Sequence, residues 1–176
     1  MKDLPLPEVY KLLEPGPVVL LTTARRGRHN IMTMSWHMMV DFTPPLIACV
    51  VSNGDYSFAA LRATKECVIA IPDVSLAEKV VKIGNCSGSD TDKFAEFALT
   101  PTRAEKVSAP LIEECFANLE CRVTDTRFVN KYGIFILEVV KAWKNPAKFD
   151  AKTIHHRGFG TFAVDGEIIH LSSEKP

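Results

Sequence analysis

Asn30-Ile31-Met32-Thr33-Met34-Ser35-Trp36, running on to Asp41-Phe42-Thr43-Pro44-Pro45-Leu46, is the stretch whose reading decides the fold. It follows an apolar run, Val18 to Thr23, and a basic turn, Arg25-Arg26-Gly27-Arg28. Side chains alternate between the two faces of a strand, so Thr33 and Ser35 would share a face, with Asn30 near the strand's start. A line of small hydroxyls beside a backbone edge suits a flat polar ligand with many hydrogen-bond acceptors. Thr and Trp are also ordinary strand residues, so the stretch takes its meaning from the rest of the chain.

Six runs read as strands: Val18–Thr23, Asn30–Val40, Leu46–Ser52, Glu66–Ile71, Ala117–Thr126 and Gly133–Ala142. Several are almost continuously apolar, as in strands buried on both faces of a barrel or at a dimer interface. Helical signals are fewer. Ser57–Ala63 reads as a short helix entered from the Asn53-Gly54-Asp55 turn. Ser75, with Glu78 three residues on, reads as a capping box before the stripe Leu76, Val80, Ile83. Asp92–Phe97 reads as a helix with Phe94 and Phe97 inward, and Pro7–Leu13 as a fourth. The runs do not alternate with long helices and no Gly-x-Gly-x-x-Gly occurs, so a doubly wound nucleotide-binding sheet fits poorly. The expected class is mainly β, a closed or split β-barrel with a few short helices, as one domain over residues 1–176.

Composition narrows the function. Apolar residues make up 47 % of the 176, enough for a sizeable core. Lys plus Arg and Asp plus Glu each number 21. Zero net charge argues against nucleic acid as the partner and is compatible with oligomerisation. No apolar run reaches the ~20 residues of a membrane span, and Met1-Lys2-Asp3-Leu4-Pro5 has no signal core. A cytoplasmic protein without membrane association is expected. The five cysteines include no Cys-x-x-Cys pair and their number is odd, against a disulfide framework or zinc ribbon. Cys49 and Cys67 read as buried small hydrophobes. Cys86, in a polar loop, is the one to test for reactivity.

Two further segments bear on chemistry. Asn53-Gly54-Asp55-Tyr56-Ser57 opens a helix, where N–H groups with the Ser52 and Ser57 hydroxyls can hold a phosphate. Cys86-Ser87-Gly88-Ser89-Asp90-Thr91-Asp92-Lys93-Phe94 has a glycine that permits close backbone approach to a ligand, and a lysine. By themselves the first is a helix-capping turn and the second a capped loop with a solvated lysine. His37 has several readings, a packed or interfacial one being the commonest. His155-His156 before Arg157-Gly158-Phe159-Gly160 reads as a polar loop. No histidine pair has metal spacing and no nucleophile motif stands out, so neither a metal nor a covalent nucleophile is expected, and no catalytic residue is assigned.

In their order and spacing these segments resemble the flavin reductase-like family, the FMN-binding split-barrel proteins that include flavoredoxins. The resemblance rests on Pro15-Gly16-Pro17-Val18, Asn30-x-x-Thr33-x-Ser35-Trp36, Pro44-Pro45-Leu46, Tyr56-Ser57, Ile71-Pro72 and Ser87-Gly88-x-x-x-Asp92-Lys93-Phe94. It covers the chain from about Pro15 onward and implies a homodimer with FMN near the subunit interface. Asn30, Thr33, Ser35 and Trp36, with Met34 among them, would line the flavin ring and ribityl chain. Ser52 and Ser57 would lie near the phosphate. Ser87, Gly88 and Lys93 would approach from the loop, and Phe159 and Phe162 near the C-terminus would cover the site. Asp55 departs from the family pattern: many relatives carry a basic residue there. An acid at that place repels phosphate unless Arg62 or one of Arg25, Arg26 and Arg28 compensates.

The implied activity is that of an FMN-dependent oxidoreductase fed by NADH, NADPH or a redox protein partner, passing electrons to free flavin or another acceptor. Such chemistry asks the protein for orientation and electrostatics more than for acids and bases. A non-enzymatic FMN carrier needing a separate reductase is the alternative. An oligonucleotide-binding barrel is a third reading, disfavoured by the neutral charge.

Overall fold

The computed structural model describes residues 16–148 and 150–172. The helix expected over Pro7–Leu13 lies outside them. Seven strands form one antiparallel sheet: β1 (Val19–Arg25), β2 (Arg28–Met34), β3 (His37–Phe42), β4 (Pro45–Val50), β5 (Glu66–Ile71), β8 (Ala117–Asp125) and β9 (Ile134–Lys144), in the spatial order β2-β1-β5-β8-β9-β4-β3. Two small hairpins, β6–β7 (Pro101–Thr102, Leu111–Ile112) and β10–β11 (Ile154–His156, Phe162–Val164), lie outside that sheet. The helices are α1 (Tyr56–Thr64), α2 (Ala77–Gly84), α3 (Lys93–Glu96) and α4 (Val129–Tyr132).

Two-residue periodicity curls this sheet around a core. Val19 and Leu21 of β1, Met34 of β2, Ile47 and Cys49 of β4, Cys67 and Ile69 of β5, Cys121 of β8, and Phe135 and Leu137 of β9 meet in one buried cluster. A sheet whose second-strand and fourth-strand residues share one interior is wrapped, as in a split barrel. The opposite face of β1, β2 and β5 carries Leu20, Ile31 and Ala70. These pack against Leu76, Val80, Ile83 and Phe94 of the α2–α3 region. Parts of these three strands are thus covered on both sides, which accounts for the apolar runs in β1 and β5.

Three local expectations are corrected. Residues 30–40 do not form one strand. The chain leaves β2 at Met34, Ser35 O accepts from His37 N at 3.2 Å, and β3 begins at the far edge of the sheet. One strand cannot serve both edges, so the turn at Ser35-Trp36 is where the barrel splits. The capping box at Ser75 is also absent. Asp73 caps the turn Val74–Leu76 instead, accepting from Ser75 N at 2.9 Å, and α2 starts at Ala77 after an uncapped Leu76. An aspartate fixed by Lys148 Nζ at 2.7 Å is a better-anchored acceptor than the exposed serine. His155 and His156 lie in β10 and not in a loop, His155 Nε2 meeting Asp165 at 2.8 Å.

Burial also fixes the thiols. Cys49 and Cys67 are 1 % and 0 % exposed. Desolvation pushes Cys49 up to about 12, and its Cys121 neighbour together with burial raises Cys67. Both remain thiols at neutral pH. No helix among the described residues is long and apolar enough to cross a membrane. Nor do three His, Cys, Asp or Glu side chains group there as metal ligands.

Candidate functional site

β2, the start of α1 and the segment between α2 and α3 enclose a cavity of about 260 Å³. Its walls include Asn30, Thr33, Ser57, Ser87, Gly88 and Lys93. Several are fixed by hydrogen bonds or close packing. Asn30, 6 % exposed, donates through Nδ2 to Ser57 Oγ at 2.8 Å, joining β2 to the first turn of α1. Thr33 Oγ1 donates to Val80 O at 2.6 Å, joining β2 to α2. Gly88 presses on Asn30: a Cβ there would lie 2.0 Å from Asn30 Oδ1 and 2.7 Å from Tyr56 Cδ1. Only hydrogen fits at that point.

Lys93 carries the positive charge of the site, which Asp55 also lines. Asp92 caps α3, accepting from Phe94 N at 3.2 Å and Ala95 N at 3.3 Å, and this cap turns Lys93 inward. Its ammonium is buried and donates to Ile83 O at 2.9 Å. Desolvation lowers its pKa, with Cys86 and Asp55 nearby acting in the opposite direction. A buried lysine tied to a carbonyl is a cation with little water to screen it, well placed to stabilise negative charge on a bound ring.

The structure divides the other sequence candidates. Trp36, 56 % exposed, and Ser52 lie together at a separate cavity of about 410 Å³ with Arg62, Lys131 and Tyr132. Met34, 4 % exposed, belongs to the barrel interior. Ser35 forms the turn between β2 and β3 and lines neither cavity. Phe159 is exposed beyond β10, while Phe162 packs against the outer core cluster. His37 Nε2 meets Pro17 O at 2.8 Å, as a packed histidine does. Sequence reasoning did not place Met32, Gly84 or Asn85 in the cavity. Their signal was available only for Met32, an apolar residue on the Asn30 strand. Gly84 and Asn85 enter because α2 ends beside Thr33.

Comparison with known proteins decides the family. Residues 12–163 match the Flavin reductase like domain. The chain belongs to the flavin reductase-like family. It is 34 % identical over 173 residues to the uncharacterized protein YddH of Escherichia coli (strain K12), covering 90 % of this chain and 92 % of that one. Its fold is similar to that of an FMN-binding domain of a flavin reductases-like enzyme from Shewanella baltica OS155 (TM-score 0.84, 24 % identity, 97 % of each chain). It is similar also to flavoredoxin of Desulfovibrio vulgaris (Miyazaki F), with TM-score 0.82, 23 % identity and coverage of 91 % and 92 %. The split barrel of FMN-binding flavin reductase-like proteins is therefore the fold of this chain.

The residues around the cavity suit such a ligand. Hydroxyl, amide and ammonium groups converge there from four segments, with a glycine at the tightest wall. These are the groups that a flavin's carbonyls, ring nitrogens and ribityl hydroxyls require.

Proposed function

We propose that the protein is an FMN-binding oxidoreductase of the flavin reductase type. It takes electrons from NADH, NADPH or a redox partner and passes them to free flavin or another acceptor. The observation that carries this reading is the convergence of Asn30, Thr33, Ser57, Ser87 and Gly88 with the buried Lys93 on one cavity. FMN, when bound, supplies hydride and electron transfer. The chain supplies the rest. Asn30 and Ser57 fix each other and present a rigid polar wall. Thr33 ties that wall to α2. Lys93 holds a positive charge in a poorly hydrated place, where it favours a ligand that gains negative charge on reduction.

We propose a homodimer as the working state. β3 is an edge strand, and Met38, Met39, Val40 and Phe42 on it are exposed, with Trp36 beside them. An uncovered apolar edge strand of this kind invites pairing with a second copy.

The test is the visible spectrum of the purified protein, with or without added FMN, followed by anaerobic NADH or NADPH. Flavin bands that bleach support a nicotinamide-dependent reductase. Bands that persist identify a carrier fed by a partner. Failure to bind FMN refutes the proposal.

A further inference from the structure

Two opposite charges share the walls of the 260 Å³ cavity, Lys93 and Asp55. Cys86 and Tyr56 are the other titratable side chains there. Asp55 is the N-cap residue of α1, yet its side chain makes no capping hydrogen bond. Its Oδ2 accepts instead from Ser52 N at 2.8 Å, which fixes the carboxylate at the cavity wall. No lysine or arginine among the described residues forms an ion pair with it. Arg25, Arg26 and Arg28 line a separate cavity of about 390 Å³ that Asp55 also borders. Arg28 is held there through Nη2, which donates to Gly88 O at 3.3 Å.

The Asp55 charge reaches Lys93. Desolvation lowers the Lys93 pKa, and Cys86 and Asp55 act against that fall. A ligand in the cavity feels both charges. Reduction of a flavin by two electrons with uptake of one proton adds one net negative charge. Lys93 attracts that charge and Asp55 repels it, in a place where water screens poorly.

We propose that Asp55 is a specificity-determining residue that shifts the site's preference toward oxidised flavin. By opposing Lys93 it weakens the hold on the reduced form, lowers the reduction potential of the bound flavin and eases release of the reduced product. This role rests on the flavin reading above and concerns the charge of the ring, not the phosphate. Affinity and potential are linked, because a ligand site shifts a redox equilibrium only by its differential affinity for the two forms.

Anaerobic calorimetry of the full chain with riboflavin and with FMN, each oxidised and dithionite-reduced, tests it. Asp55→Asn removes the charge and keeps an oxygen for Ser52 N. Asp55→Ser, an uncharged residue favoured at helix caps, is the second variant. Both should strengthen binding of the reduced form ~10-fold relative to the oxidised form, for both flavins. That ratio equals a rise of ~30 mV in a two-electron potential. Asp90→Asn, at an exposed side chain outside the cavity, should leave the ratio unchanged. In the ligand-free chain, Asp55→Asn should lower the Lys93 pKa, followed by nuclear magnetic resonance of its ammonium. Flavin binding with an unchanged ratio overturns the role of Asp55 and leaves the flavin reading standing. So does a Lys93 titration that does not move, or a ratio that Asp90→Asn moves equally. An equal gain in both redox forms, confined to FMN, overturns it too, since Asp55 would then act on the phosphate alone. A wild type that binds neither flavin in either form overturns both readings.

Discussion

Gly88→Ala tests the site at its tightest point. A Cβ at Gly88 would sit 2.0 Å from Asn30 Oδ1, 2.6 Å from Asn30 Cγ and 2.7 Å from Tyr56 Cδ1. Ordinary contact begins at 3.4 Å, so atoms must separate by about 1.4 Å. Asn30 cannot yield cheaply, because it is buried and its amide is bound to Ser57 Oγ. Gly88 does not have a left-handed φ, so the cost is steric and not conformational. Overpacking of this kind costs ~1–3 kcal/mol, and breaking the Asn30–Ser57 bond adds ~1 kcal/mol. The loop can move outward, which transfers part of the cost from stability to the cavity wall. We expect a lower urea midpoint and an FMN dissociation constant raised ~30-fold, equivalent to about 2 kcal/mol. Gly84→Ala is the internal control, since its Cβ would meet Thr33 Cβ at 3.4 Å, an ordinary contact. Wild-type stability and FMN affinity in Gly88→Ala would refute the packing of Gly88 on Asn30.

Three other perturbations have definite signs. Burial lowers the Lys93 pKa in the fold, so between that value and the unfolded 10.5 the unfolded chain binds more protons and stability rises with pH. Lys93→Met should abolish this rise in a pH series of urea unfolding curves and weaken FMN binding; a rise that persists would place its origin elsewhere. Burial pushes the Glu120 carboxyl up, but donors from Trp143, Glu105, Lys106 and Val107 outweigh it and hold the pKa below its ordinary value. That stabilisation is full above the unfolded carboxylate pKa and is lost as pH falls through the folded one. Glu120→Gln should cost about 2 kcal/mol or more near neutrality and flatten the acid limb of the same curves; an unchanged midpoint would refute this. Phe42→Asp, at a side chain 85 % exposed on β3, should give a monomer by light scattering while leaving the far-ultraviolet circular dichroism unchanged. A variant that remains dimeric would move the interface away from β3.

Much of this protein was legible without coordinates. β5 spans the expected Glu66–Ile71, and the stripe Leu76, Val80, Ile83 is buried as its spacing demands. Strand alternation and helix periodicity are local, so hydrophobic pattern reports them directly. The break at Ser35-Trp36 was not legible, because nothing in one strand-like run says that its halves serve opposite edges of one sheet. Asp73 displaced Ser75 as a cap because Lys148, 75 residues away, anchors it.

The candidate site shows the same division. By itself the sequence determined the residue types: Asn30, Thr33, Ser57, Gly88 and Lys93 are polar or minimal side chains set in strand and turn contexts, and their order carried the family resemblance. Tertiary structure alone decided which of them meet. It joined Asn30 to Ser57 across 27 positions and placed Trp36 and Ser52 at a different cavity. It drew Met34 into the barrel and set three arginines beside the start of α1. A side chain's partners depend on how the sheet curls and where each helix docks. Those are collective outcomes of burying apolar surface from the whole chain, and no local window of sequence contains them.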